Sequence, residues 1–323
     1  MKIRIGSRGS ALALAQTNGV AQTLADLGHD TEIVIIETAG DRDQDRRFSE
    51  IGIPGVFVRE IEAALLDAKI DLAVHSYKDL PSRSPAGLVV AAMPERLDPG
   101  DCLIMRADDQ LPAPGAPGAE LGLDLPLREN AVVGTASERR RALLRSLRPD
   151  VRIEPIRGNV PTRLAKLREG PYDAIVLAAA GLIRLERGHN ASNPGLDRLV
   201  SLRLDPTVFV PAPAQGALVL QCREGDRVVI AVAPLHDVHA ATPVQAEREL
   251  LRLVDGGCDL PFGAWCRRLD GDNLELVSVI ESDGLLVRQS GQGENPEELA
   301  ARLWARLSDK LCAVPADGAG AEA

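Results

Sequence analysis

Hydrophobic and polar positions in the first 80 residues follow the two periods expected of strands and helices. Residues 2–6 alternate as a strand does, whereas residues 11–27 carry apolar side chains at helical spacing. Ser10 is a favourable N-cap for that helix, and Gly28 is its stop. The elements predicted in this part are strands at 2–6, 32–38 and 71–75 and helices at 11–27 and 57–68. This order indicates a largely parallel α/β sheet.

A second α/β unit is predicted after a segment rich in Pro, Gly and Asp at 107–130. The apolar run 174–183 is interpreted as a buried strand that runs into a turn. A further Pro/Gly-rich stretch at 211–216 marks a boundary or hinge. The elements predicted in this unit are strands at 131–134, 151–156 and 174–178 and helices at 138–147 and 162–168.

The pattern changes after Arg223, where a helix near 243–254, strands around 275–286 and a helix at 296–311 are predicted. The charged stretch 40–50 is expected to be a mobile loop, and the tail 315–323 is expected to be disordered. A length of 323 residues suggests two or three domains.

Composition and charge narrow the classes of function. A net charge of −10 and an aromatic content of 2% count against a nucleic-acid-binding protein. No apolar run approaches the roughly 20 residues that cross a bilayer. The first residues lack the apolar centre of a signal peptide, so we expect a cytoplasmic protein that does not engage a membrane.

Five dispersed cysteines argue against a disulfide framework, and the absence of a CxxC pair argues against a zinc site, so no metal is expected. One cysteine stands apart, because Cys258 follows Gly256 and Gly257 at the crest of a predicted turn. A cysteine in a turn is usually only that, but a presented thiol is also suited to covalent chemistry.

Arginines recur where a predicted strand ends and the next helix begins. The carboxyl ends of strands face the ligand crevice in α/β sheets, and a helix N-terminus attracts anions. Arginine in a first helical turn opposes the helix dipole and costs a few tenths of a kcal/mol without an anion nearby. A solvated basic face explains any one of them, but the whole set predicts a ligand with several carboxylates or phosphates. The arginines are Arg8, Arg139, Arg140, Arg157 and Arg163.

Asp79 lies at a predicted strand end between Lys78 and Leu80. It is either an ordinary turn aspartate or a carboxylate that stabilises positive charge and moves a proton in the crevice. Spacing alone leaves both readings open. His75 is interpreted as a structural histidine, and Tyr77 as a packing residue.

Five motifs in one order resemble the porphobilinogen deaminase family, also called hydroxymethylbilane synthases. The resemblance covers residues 2 to about 311, nearly the whole chain. The motifs are IGSRGSALA at 5–13, AVHSYKDLP at 73–81, VGTASERR at 133–140, IRGNV at 156–160 with TRL at 162–164, and GGC at 256–258.

The resemblance implies a three-domain α/β fold with two similar lobes like those of periplasmic binding proteins and a smaller α/β C-terminal domain. The implied domains are 1–101 with 204–221, 102–203, and 222–323. It implies a cytoplasmic, monomeric transferase that polymerises four porphobilinogen molecules with loss of ammonia and hydrolyses the product to hydroxymethylbilane. It also implies that the product is handed on to uroporphyrinogen-III synthase.

Site roles follow from the same resemblance. Cys258 would form a thioether to one dipyrromethane cofactor, and Asp79 would bind pyrrole N–H groups, protonate the leaving amine and stabilise the resulting cation. The implied cofactor-binding residues are Cys258, Lys78, Asp79, Ser76, Ser137, Arg139, Arg140, Arg157 and Gly158. The implied substrate-binding residues are Arg8, Ser10, Gln16, Phe57, Arg157, Arg163 and Arg184.

The chain departs from the family pattern at three places. Residues 52–55 lack the usual loop lysine, Tyr77 stands where methionine is usual, and Ala214 stands where glycine is usual. Two other functions remain open on the residues alone. A two-lobed anion-binding protein would share the basic crevice, and a thiol hydrolase would use Cys258, although no Cys–His–Asn arrangement is discernible.

Overall fold

The computed structural model describes residues 1–38, 58–109, 125–187, 196–254 and 260–312. The strands are β1 (Lys2–Ser7), β2 (Asp30–Ile35), β3 (Leu72–Ser76), β4 (Leu88–Ala92), β5 (Asp101–Arg106), β6 (Val132–Gly134), β7 (Arg152–Glu154), β8 (Ala174–Ala178), β9 (Leu199–Arg203), β10 (Leu218–Arg223), β11 (Phe262–Arg268), β12 (Leu274–Ser282) and β13 (Leu285–Gly293). The α-helices are α1 (Ala11–Asp26), α2 (Arg59–Leu66), α3 (Glu138–Leu147), α4 (Val160–Glu169), α5 (Ala179–Arg187), α6 (Val228–Val232), α7 (Val238–Val254) and α8 (Pro296–Cys312).

Lobe 1 is built on a five-stranded sheet of order β2–β1–β3–β10–β4. β1 is parallel to β2 and β3, and β10 runs antiparallel to β3 and β4. α1 covers one face because its Val20 and Leu24 pack with Ile3 and Ile5 of β1. α6 packs on the same sheet, so the chain stays on lobe 1 for some residues beyond β10.

Lobe 2 repeats this arrangement with a sheet of order β7–β6–β8–β5–β9. β6 is parallel to β7 and β8, and β5 is antiparallel to β8 and β9. β6 therefore corresponds to β1, β8 to β3, and β5 to β10. The prediction of two similar α/β lobes is confirmed.

The C-terminal domain is an antiparallel meander, β11–β12–β13, with α7 and α8 on one face. Leu250 of α7 and Leu303 of α8 pack into the cluster that covers this face. On β12, Val277 and Val279 belong instead to the core of lobe 2. The predicted smaller α/β domain is thus confirmed, and it rests against lobe 2.

The chain crosses between the lobes twice, between β4 and β5 and again between β9 and β10. Arg203 Nε donates to Asp98 Oδ2 at 2.6 Å, and Leu97 N donates to Gly216 O at 3.1 Å. Gly216 is required here, because its φ is +88° and a Cβ would lie 2.4 Å from Leu97 O. The two crossings are therefore fastened to each other.

Several sequence expectations change. The prediction that residues 174–183 run from a strand into a turn was wrong after Ala178, because α5 begins at Ala179. The strands β4, β5, β9, β10 and β11 and the short helix α6 were not predicted. The expected loop at 40–50 and tail at 315–323 lie outside the described residues, as does most of 107–130. No helix in the described parts is long and apolar enough to span a bilayer.

Candidate active site

A single 3-10 turn, Tyr77–Asp79, follows β3 at the edge where the lobes meet. Leu80 N donates to Tyr77 O at 3.2 Å to close the turn. Leu80 is extended, as expected of a residue before proline, so the turn ends there. Asp79 is exposed to solvent and Lys78 is half-buried. Ser76 accepts a hydrogen bond from Gln16 Nε2 of α1 at 3.1 Å, which brings two predicted site residues together.

Lobe 2 contributes two buried arginines from the first turn of α3. Arg139 Nη1 donates to Val210 O at 2.8 Å and lies 2.9 Å from Asp101 Oδ2. Arg140 donates to Val176 O at 2.8 Å and to Asp101 Oδ1 at 2.7 Å. Asp101, which begins β5, is completely buried. The anion that arginine requires at a helix start is therefore supplied in part by the protein itself.

Asp101 remains ionised despite its burial. Burial alone would raise the pKa of this carboxyl, but Arg139 and Arg140 hold its pKa well below the usual value. Gln215 Nε2 contributes a hydrogen bond to Asp101 Oδ1 at 2.9 Å. Burial lowers the pKa of Arg139, against the attraction of Asp101.

Lys78 adds a third cation to this group. Its Nζ lies 3.5 Å from Gln215 Oε1. Burial among protein atoms lowers its pKa, which the charge of Asp79 opposes and that of Arg140 reinforces. We call Lys78, Asp101, Arg139, Arg140 and Gln215 the interlobe hub. The hub holds three cationic side chains and one carboxylate, so positive charge is in excess.

The start of α4 brings another arginine towards the hub. Asn159 is the N-cap of α4, and its Oδ1 accepts from Thr162 N at 2.9 Å. Arg163 Nε donates to Gly158 O at 2.7 Å. Gly158 has φ +109°, and a Cβ would lie 2.6 Å from Thr162 Cγ2. Burial lowers the pKa of Arg163 to about 10, and the charge of Arg140 contributes.

Arg184 on α5 reaches across to a lobe crossing. Its Nη2 donates to Gly216 O at 2.6 Å. Burial lowers its pKa to about 10, against the attraction of Glu95. The remaining predicted residues of this edge are Arg8 and Arg157, which are both half-buried, and Ser10, whose hydroxyl accepts from Ala13 N at 3.3 Å.

Two predicted site residues, Cys258 and Phe57, lie outside the described residues. Sequence reasoning did not predict roles for Asp101 and Gln215. The sequence pointed to an anion near Arg139 and Arg140, because two arginines in a first helical turn are unfavourable without one, but it did not identify Asp101. Among the described residues, no group of three or more His, Cys, Asp or Glu side chains could hold a metal ion.

The arrangement is suited to a ligand that carries several carboxylates. Besides the excess positive charge, the buried Nε atoms of Arg139 and Arg140 have no hydrogen-bond partner among the described residues. Arginine and lysine bind carboxylates with charge-assisted hydrogen bonds. The fold and the site thus define a class, a two-lobed α/β protein with an anion-binding junction beside an exposed carboxylate.

Two family models match this chain. Residues 3–231 match the porphobilinogen deaminase, dipyromethane cofactor binding domain, and residues 241–313 match the porphobilinogen deaminase, C-terminal domain. Since these models cover most of the chain, it belongs to the porphobilinogen deaminase family.

Curated relatives agree with the family models. The porphobilinogen deaminase of Bacillus velezensis is 40% identical over 95% of this chain and 93% of its own length. That of Bacillus cereus strain G9842 is 41% identical over 95% of this chain and 94% of its own length. Among solved structures, an ancestral cationic amino acid solute binding protein matches 72% of this chain and 87% of its own, with 13% identity and a TM-score of 0.39.

Proposed function

We propose that the protein is a porphobilinogen deaminase, or hydroxymethylbilane synthase, a transferase of tetrapyrrole biosynthesis. It would join four porphobilinogen molecules with loss of one ammonia each and hydrolyse the linear product to hydroxymethylbilane. The observation that carries the proposal is the exposed carboxylate of Asp79 beside the half-buried Lys78 and the buried Arg139 and Arg140, whose charges exceed that of Asp101. Family membership supports the choice of substrate.

A dipyrromethane group bound through the Cys258 sulfur would supply the pyrrole carbon onto which substrate units are joined. The cations of the hub suit its carboxylates, since Lys78, Arg139 and Arg140 together outnumber Asp101 and the Nε atoms of both arginines have no partner among the described residues. Ser76, Ser137 and Gly158 lie at the strand ends and helix starts around it. We assign these residues, together with Asp79 and Arg157, to holding the cofactor.

Asp79 would perform the proton transfer. As a carboxylic acid, Asp79 Oδ donates a proton to the leaving amine, and as a carboxylate it stabilises the positive charge left on the substrate. Once bound substrate excludes water, a preorganised charge at such a position contributes several kcal/mol. Its exposed position at the end of a turn leaves the carboxylate accessible to substrate.

Arginines around the hub would bind the acetate and propionate groups of each substrate unit. Arginine remains charged even when burial lowers its pKa to about 10, as for Arg163 and Arg184. Arg8, Ser10, Gln16 and Phe57 complete the proposed substrate contacts. On the family resemblance, we further propose a cytoplasmic monomer that passes its product to uroporphyrinogen-III synthase.

Intact mass and turnover test the proposal together. The purified protein should be heavier than its sequence by two linked pyrrole units and should consume porphobilinogen. Cys258→Ser should lose both properties, whereas the control Cys312→Ser, which alters an exposed thiol, should keep both. A wild-type protein that carries no added mass and leaves porphobilinogen unchanged would refute the proposal in favour of a simple anion-binding protein.

A further inference from the structure

Arg248 of α7, in the C-terminal domain, contacts the turn that carries Lys78 and Asp79. Its Nη1 donates to Leu80 O at 3.0 Å and to Tyr77 O at 3.4 Å, and its Nη2 donates to Pro81 O. The guanidinium carbon lies 4.4 Å from the centre of the Tyr77 ring. Arg248 is 8% exposed, so these contacts are made away from solvent.

Two of these contacts lie at Leu80 and Pro81, where the 3-10 turn ends. Pro81 has no N–H, so the 3-10 turn cannot continue, and the carbonyls of Leu80 and Pro81 just beyond it have no helical donor. One planar guanidinium satisfies carbonyls on both sides of Asp79 and stacks on the ring of Tyr77. The backbone on either side of the catalytic carboxylate is thereby fixed by a side chain from another domain.

The helix that carries Arg248 is itself firmly placed. Glu247, the preceding residue, is completely buried, and Arg96 Nη1 and Nη2 each donate to it at 2.9 Å. Ala214 N and Cys266 N both donate to the same carboxylate at 2.7 Å. α7 is therefore bonded to lobe 1, to a lobe crossing and to its own sheet.

We propose that Arg248 is a positioning residue for Asp79, which couples the acid of lobe 1 to the domain that bears the reactive thiol. α7 ends at Val254, four residues before Cys258 in the chain. The helix that fixes the turn of the carboxylate is thus the element that precedes Cys258 in the chain. This inference rests on the proposed function, because it assigns Asp79 its role there.

The test compares Arg248→Met and Arg248→Lys with a matched control on the same helix, Arg252→Met. Arg252 forms an ion pair with Glu249 and is 41% exposed. A displacement of about 1 Å in a reacting group costs roughly 100-fold in rate, so we expect Arg248→Met to lower kcat roughly 10- to 100-fold. KM should change less than about threefold, since the carboxylate-binding arginines are untouched.

Two further measurements separate positioning from a general structural role. Intact mass should show the cofactor retained in every variant. In an Asp79→Asn background, Arg248→Met should change the remaining rate less than about threefold, because the group it positions is already lost. Arg248→Lys should recover part of the rate, since an ammonium can bind some of these carbonyls but lacks the planar fork.

An equal loss of rate in the wild-type and Asp79→Asn backgrounds would overturn the inference, as would a kcat for Arg248→Met equal to that of Arg252→Met. If Arg248→Met does not fold, Arg248→Lys in the two backgrounds decides by the same criterion. A wild-type protein without added mass or turnover would refute the proposed function itself, and this inference with it. A fully active wild type with an unaffected Arg248→Met would refute the inference alone.

Discussion

Corresponding connections in the two lobes are built for different purposes. In lobe 1, β1 leads to α1 through Arg8, and the Ser10 hydroxyl caps the helix by accepting from Ala13 N. In lobe 2, β6 leads to α3 through Ser137, which occupies the N-cap position but makes no capping hydrogen bond with its side chain. The first turn of α3 instead carries two buried arginines.

The difference shows that the same strand–helix connection can either cap a helix with a serine or hold buried arginines at the helix start. Cations near a helix N-terminus oppose the helix dipole by about 0.3–1 kcal/mol each. Lobe 2 tolerates this because Asp101 and backbone carbonyls fix both guanidinium groups. Lobe 1 keeps an ordinary cap and carries Asp79, the proposed acid, on a separate turn.

Removal of the Asp101 charge should have the largest effect on stability, because it leaves Arg139 and Arg140 at the start of α3 without their partner. Asp101→Asn leaves two buried guanidinium groups without an anion, which costs roughly 3–5 kcal/mol. We expect the melting temperature to fall by about 10 °C. The control Asp67→Asn, which disrupts an exposed pair with Lys69, should leave it almost unchanged. An unaltered melting temperature for Asp101→Asn would show that the arginines do not depend on Asp101.

Neutralising the acid of lobe 1 should affect catalysis instead of stability. Asp79→Asn should lower kcat by about 100- to 1000-fold, because an uncharged amide neither donates the proton nor stabilises the cation. Intact mass should show that the cofactor is still bound. Glu95→Gln is a suitable control, because Glu95 forms an exposed ion pair with Arg187 at the lobe junction. Near-normal kcat for Asp79→Asn would remove Asp79 from the proposed mechanism.

The lobes should also differ in acid sensitivity. β3 carries His75 where the corresponding strand β8 carries Leu177. Burial lowers the pKa of His75 from 6.5 to about 4, while its hydrogen bond to Gln221 opposes the shift. The unfolded chain therefore binds the proton more strongly, and stability is complete above pH 6.5 and declines as the pH falls towards 4.

The variant His75→Leu copies lobe 2 at this position. The stability of the wild type relative to His75→Leu should fall by about 2 kcal/mol between pH 7 and pH 5. Urea unfolding at both pH values measures this difference. Gln221 also donates to Glu62, and burial raises the pKa of that carboxyl. Glu62 therefore favours the folded state at lower pH, but it does so in the wild type and in His75→Leu alike. Parallel pH profiles would show that His75 is not the source of acid sensitivity.

The two N-cap serines provide the smallest and most direct contrast. Ser10→Ala should destabilise the protein by about 1 kcal/mol, the usual value of a capping hydrogen bond. Ser137→Ala should cost only a few tenths, because its hydroxyl does not cap α3. Thermal unfolding of the two variants measures the contrast, and equal losses would contradict the proposed division between the lobes.

The sequence was most informative where periodicity and end signals coincided. α3 was predicted at 138–147 and forms at Glu138–Leu147, and the α1 cap at Ser10 was also correct. The strands β5 and β10 were not predicted, because they are short and buried on both faces and so show no alternation of apolar and polar residues. The same ambiguity concealed α5, since a short apolar run does not distinguish a buried helix from a strand.

The sequence located site residues from local position but not their long-range partners. The arginines were located by their position between strand and helix, which is a local property of the chain. Their partner Asp101 is 39 positions from Arg140 in sequence, and only tertiary folding brings the two together. The contact of Arg248 with the Asp79 turn spans 168 positions to Leu80 and was equally inaccessible.

The paired lobe crossings limit how the molecule can open. From two covalent connections that are fastened through Arg203 and Asp98, we expect one lobe to rotate against the other about an axis near the crossings instead of sliding. Asp101 begins β5 directly after the first crossing and Gln215 lies on the second, so both should stay near such an axis. Under this expectation, a lengthening product would gain space away from the crossings while the charges beside them keep their spacing.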